Sequence, residues 1–65
     1  MTGPELRAIR KHLGLTLYAW GQALGYSGNR NTIQCAVRRY EAGERDIPLW
    51  IAKLAEMYHR HGISE

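Results

Sequence analysis

The chain is predicted to be all-α, a compact domain of four to five helices, on three observations. Apolar residues recur three and four apart in four separate stretches, the spacing that gathers them on one face of a helix. Residues that start helices precede these stretches and glycines follow them. Sixty-five residues suit one small domain, 1–65, with no room for an effector domain. A domain of that size buries only about 60% of the surface its unfolded chain exposes, so it is marginal alone and dimerisation would help.

The first helix is expected over about residues 3–13. Thr2 stands at the N-cap, Glu5 at the capping-box position and Pro4 in the first turn, where its missing N–H costs nothing. Leu6, Ile9 and Leu13 form the apolar stripe; Arg7, Arg10, Lys11 and His12 are the polar remainder, with Arg10 close enough to Ile9 to flank the core. Gly14 ends this helix, and Thr16 caps a second over about 17–24, anchored by Trp20 and Leu24 one turn apart. Gly21 sits inside it at a propensity cost of about 1 kcal/mol. Close approach of another helix would account for the glycine; a tolerated weak spot is the alternative. Tyr26 to Arg30 is turn chemistry, longer than a tight turn requires.

The third helix, about 32–41, belongs to the stretch Asn31 to Gly43, around which the rest is organised. Ile33, Ala36, Val37 and Tyr40 make one apolar face, while Gln34, Cys35, Arg38 and Arg39 point elsewhere. Asn31 is expected at the N-cap, Gln34 in a capping box with it, and Gly43 at the left-handed terminus. Beyond the loop Glu44-Arg45-Asp46, Asp46 is expected to cap a fourth helix over about 47–61, with Pro48 in its first turn. Ile47, Ile51, Leu54, Ala55 and Tyr58 repeat at helical spacing, and Trp50 and Met57 add a second apolar edge broken by Lys53. Part of this surface, assigned to Trp50, Lys53, Met57 and Tyr58, is expected to meet another chain. His59, Arg60 and His61 suit the negative end of the helix dipole, and Gly62 stops the helix.

A formal charge of +3 and a pI near 9.4 favour a polyanionic partner, although a solvated basic surface is the plain alternative. Arginine outnumbers lysine seven to two, and a guanidinium fork binds guanine edges or phosphate where an ammonium acts as a point charge. The single cysteine, Cys35, makes no internal disulfide and fits a reducing cytoplasm. No basic-then-apolar leader and no window near the roughly 20 apolar residues of a membrane span are present, so a soluble cytoplasmic protein without a membrane partner is expected.

Catalysis has little support. Glu41, Glu44 and Asp46 read as a pair, a loop charge and a cap, and no order of Ser, His and Asp suggests a triad. His59 and His61 lie two apart on a helix and diverge by about 200°, the wrong geometry for one metal. No enzyme activity, metal, cofactor or small-molecule ligand is expected. Cys35 reads as a small apolar contact or filler in preference to a redox sensor.

The stretches L-R-A-I-R-K-H-L-G-L-T, W-G-Q-A-L-G-Y-S, V-R-R-Y-E-A-G and I-P-L-W-I-A-K-L-A, in this order, resemble the Xre/Cro family of lambda-repressor-like helix-turn-helix DNA-binding domains over nearly the whole chain. The resemblance implies a double-stranded DNA partner, with the third helix as recognition helix in the major groove. Val37 and Tyr40 match its buried residues. Gln34 matches the position that most often reaches a base, and its amide can pair bidentately with adenine. Cys35 and Arg39 match other groove-facing positions, Cys35 as a contact to a thymine methyl, and Arg38 reaches base or phosphate. Glu41 matches a structural glutamate paired with an arginine of the first helix, here Arg10.

Two departures stand out. Leu17 replaces a polar, phosphate-binding residue after the Thr16 cap, and Ala42 a frequently polar residue after the glutamate. The chain is also longer than the family pattern by the stretch Gly28 to Ile33, which must lengthen the turn, extend the front of the recognition helix, or both. Arg30 and Asn31 are expected to extend recognition there, Asn31 toward bases and Arg30, with Asn29, Thr32, Thr16, Tyr18 and Arg45, toward phosphates or the groove edge; the alternative is a solvated loop. The resulting expectation is a homodimeric repressor of its own operon on an inverted repeat, with recognition helices in successive major grooves about 34 Å apart. Bare domains of this kind occur in phages and mobile elements, including beside anti-CRISPR genes. The other class is an antitoxin or protein-binding adaptor, in which Trp50 and Met57 would form the partner surface and the polar face Gln34, Arg38, Arg39 need not be kept.

Overall fold

The computed structural model describes residues 1–62, and among them the chain forms four α-helices and no strand: α1 (Gly3–His12), α2 (Leu17–Ala23), α3 (Arg30–Glu41) and α4 (Leu49–His61). They pack into a body of 26 × 24 × 19 Å. α3 lies against both α2 and α1, and α4 packs on α1. Leu6, Ile9, Trp20, Leu24, Val37, Tyr40, Ile51 and Ala55 form one continuous core drawn from all four helices. Trp20 is fully buried at its centre, with the Tyr58 ring edge-on at 5.9 Å and the Tyr58 hydroxyl donating to the Ala23 carbonyl at 2.8 Å. That hydrogen bond fastens α4 to the end of α2.

The first two helices start where short-range chemistry directs. Thr2 and Glu5 form the reciprocal capping box, and the Thr2 hydroxyl and amide hold the Glu5 carboxyl below its ordinary pKa. Thr16 accepts from the Ala19 amide at 3.1 Å and caps α2.

Two starts differ from expectation. α3 begins at Arg30, because Asn29 and not Asn31 is its N-cap: the Asn29 carbonyl oxygen accepts from the Asn31 amide at 2.7 Å. The expected Asn31–Gln34 capping box is therefore not formed, and Asn31 lies inside the first turn. Gly28, at φ +111°, reverses the chain just before this cap, a conformation that only glycine adopts without strain. Residues 30–33 of the stretch from Gly28 to Ile33 are thus helical and form the first turn of α3. α4 begins at Leu49, not at Ile47, and Asp46 does not cap it. Pro48 is extended at ψ 153° and occupies the N-cap position with no side-chain hydrogen bond. The ring of Pro48 disfavours a helical Ile47, which forces the later start.

Two glycines mark helix crossings. A Cβ on Gly21 would strike Ile33 Cγ2 and lie 3.2 Å from Val37 Cγ2, so α2 and α3 touch at the only residue that permits it. This is the close approach anticipated above. Gly3, which the sequence did not single out, is buried because a Cβ there would lie 2.6 Å from the Tyr40 carbonyl oxygen. The N-terminus of α1 thereby abuts the C-terminal turn of α3, a favourable meeting of opposite dipole ends.

Candidate functional site

The amphipathic spacing of α3 produces two unlike faces. Ile33, Val37 and Tyr40 are buried, whereas Asn31, Thr32, Cys35, Arg38 and Arg39 are exposed and Gln34 sits half-buried at the margin. Of the five residues expected to read bases, four are therefore open to solvent on one side of one helix, with Gln34 beside them. Arg38 and Arg39 occupy the last turn, where the negative end of the helix dipole favours a positive charge. Among the described residues neither they nor Arg30 has a carboxylate within ion-pair distance.

Of the residues expected at the edge, Asn29, Arg30 and Thr32 lie at the front of α3, and Arg30 reaches Tyr18 of α2. The Arg30 guanidinium lies over the Tyr18 ring, 4.8 Å from its centroid, and the Tyr18 hydroxyl accepts from Gln22 Nε2 at 3.1 Å. Tyr18 thereby holds the exposed Arg30 side chain against α2. Asn29 and Thr16 are exposed, but each has one oxygen engaged in capping. Arg45 is set apart from this group, at the other end of α3, 5.5 Å from the Tyr40 ring centroid. Tyr40 in turn shares a 2.7 Å hydroxyl–hydroxyl bond with Tyr26, whose phenol is pushed up to about 12 by burial and then by that bond.

The rear of α3 is clamped to α1. Arg10 Nε donates to Glu41 Oε2 at 2.8 Å, its Nη2 to Oε1 at 3.3 Å and its Nη1 to the Leu15 carbonyl at 3.0 Å. One side chain thus ties α1, the turn before α2 and the end of α3 together, with the geometry of a bidentate pair. Beside it a shallow cleft of about 260 Å³ is lined by Arg7, Arg10, Leu17, Arg38, Glu41 and Ala42. Arg7 was not among the residues singled out in the sequence. A signal existed, since Arg7 precedes Arg10 by one turn and the Arg10–Glu41 pair already brings that side of α1 to α3.

On α4, Trp50 and Met57 are 53% and 46% exposed, Lys53 falls between them in the helix, and the Trp50 ring lies 6.5 Å from that of Tyr26. Leu49, 70% exposed and not anticipated, extends this patch. Tyr58 does not belong to it. Its ring packs on Trp20 and its hydroxyl is bound to the Ala23 carbonyl, so the interface role expected for Tyr58 is corrected to a core role. The physical reason is helical phase: Tyr58 follows Ile51 by seven residues and Ala55 by three, which puts it on the buried side.

Cys35 is an exposed free thiol. Among the described residues no cluster of three or more His, Cys, Asp or Glu is placed to hold a metal ion, and no helix is long and apolar enough to cross a membrane. No protein-family model, curated protein or solved structure matches the chain.

Proposed function

We propose that this chain is a sequence-specific DNA-binding transcriptional regulator of the helix-turn-helix class, with α2 and α3 as the motif and α3 as the recognition helix. The observation that carries the reading is the division of α3: Ile33, Val37 and Tyr40 pack inward, and Asn31, Cys35, Arg38 and Arg39 project outward with Gln34 at their margin. An exposed helix with unpaired guanidinium and amide groups suits the major groove, where arginine pairs with guanine or phosphate and Gln or Asn pairs with adenine. The resemblance to Xre/Cro domains supports the same reading, and the Arg10–Glu41 pair fits the structural role the resemblance gives it. Within this reading the protein is a homodimeric repressor of its own operon, of the kind found in phages and beside anti-CRISPR genes. Trp50, Lys53 and Met57 offer the contact between subunits.

A second reading, an antitoxin or protein-binding adaptor, draws on the same exposed Leu49, Trp50 and Met57. Footprinting on the DNA upstream of the protein's own gene, with light scattering for mass, separates the two. The regulator protects an inverted repeat as a dimer, and Arg39→Ala loses about tenfold or more in affinity, the ~1–3 kcal/mol typical of a base contact, without a change in melting temperature. A monomer that leaves that DNA unprotected is the adaptor.

A further inference from the structure

The cleft between α1 and α3 has a charge composition that its structural role does not explain. Arg10 and Glu41 on its wall neutralise each other through two hydrogen bonds, and the remaining Arg10 Nη1 is engaged by the Leu15 carbonyl. Arg7 and Arg38 add two more positive charges on the same cleft, both are exposed, and among the described residues neither has an acidic partner. The one carboxylate present, Glu41, is already held by Arg10, so it offers an incoming anion little net repulsion. Leu17 supplies an apolar wall and no competing polar group.

We infer that this cleft binds a phosphate of the DNA backbone, with Arg7 and Arg38 as its two arms. This rests on the DNA-binding reading and deepens it. Two guanidinium groups from different helices match a phosphate that has oxygens to share, and they do so as planar forks that fix orientation as well as charge. Arg38 follows Gln34 by one helical turn and Asn31 by two, so it stands on the same side of α3 as the groups facing the bases. A phosphate gripped there by α1 and α3 together sets the register of α3 along the groove while carrying no sequence information itself. It also supplies a phosphate contact in a chain whose second helix begins with an apolar residue, Leu17.

The test is the salt dependence of binding, measured for wild type, Arg7→Gln and Arg38→Gln on two duplexes: the DNA upstream of the gene and a mixed-sequence control of equal length. Each substitution is expected to weaken binding to both duplexes by a similar factor, and to make the slope of log K against log salt shallower by about 0.9. Thermal midpoints stay within about 4 °C of wild type, since among the described residues neither side chain has an ion-pair partner. Wild-type affinity and slope in both variants overturn the clamp and leave the DNA reading intact. A loss confined to the upstream duplex overturns it too, because that is the mark of a base contact. A wild-type protein that binds neither duplex overturns the DNA reading and the clamp with it. Titration with inorganic phosphate, followed through the Arg7, Leu17 and Arg38 amide resonances, distinguishes the source: weak, unsaturated shifts are expected. Saturable phosphate binding with unaltered duplex slopes would make the cleft a small-anion site and overturn the assignment.

Discussion

Arg10 and Arg38 line the same cleft, yet the chain uses them in opposite ways. The Arg10 side chain is 15% exposed and its guanidinium meets Glu41 twice and the Leu15 carbonyl once. Arg38 is exposed, and among the described residues no carboxylate meets it. A partly buried charge is tolerable only when its partners are built into the fold, whereas an exposed charge can wait for a partner from outside. A similar contrast runs along α3, from the Glu41 end, tied to α1 by a bidentate ion pair, to the Arg30 end, whose polar contacts are one cap and one ring contact beside the apolar packing of Ile33 on α2.

The contrast breaks most visibly at Glu41. Glu41→Gln leaves Arg10 without its counter-charge in a partly buried site, and the expected loss is about 2–3 kcal/mol. In a domain this small that lowers the melting temperature by about 10 °C or more, while Arg38→Gln stays within about 0.5 kcal/mol of wild type. Equal melting curves for the two variants would erase the distinction. Gly21→Ala tests the crossing that sets the angle of α3. The new methyl group strikes Ile33, and overpacking of this kind costs about 1–3 kcal/mol by chemical denaturation. The cost should shrink in an Ile33→Ala background, because the two positions share one contact. The smallest effect is expected at the loosely held end: Asn29→Ala removes the cap for about 1 kcal/mol, and amide exchange should quicken at Arg30 to Ile33 while Arg38 to Glu41 stay protected. Uniform quickening along α3 would show that its two ends are not held independently.

What could be read from the sequence follows the range of the interactions. The Thr2–Glu5 box and the Thr16 cap are contacts three residues long, decided by side chains that sit next to one another in the chain. Gly21 was legible as a conflict, a poor helix former inside a helix, and that conflict has a packing answer. The start of α3 was misread because Asn29 and Asn31 are both good caps two residues apart, and only the left-handed turn at Gly28 decides between them. At the start of α4, Pro48 suits a first turn but also disfavours a helical Ile47, and the second effect prevails. The burial of Gly3 depends on which helices meet, and local pattern does not carry that information; the inward phase of Tyr58 and the position of Arg7 one turn before Arg10 were legible in the 3.6-residue period. Within the candidate site, the side of α3 that faces outward was readable from the 3.6-residue period. The Arg30–Tyr18 stacking was not, since it joins the front of α3 to α2 across the intervening turn.

The central claim is that the outward side of α3 is where this protein meets DNA. Amide chemical-shift mapping of the labelled protein, with a duplex taken from upstream of its own gene, tests it most directly. Shifts are expected to concentrate at Asn31, Gln34, Cys35, Arg38 and Arg39, with Trp50, Lys53 and Met57 unmoved at concentrations where the dimer is already formed. Shifts centred on Trp50, Lys53 and Met57, or none at saturating duplex, would contradict it.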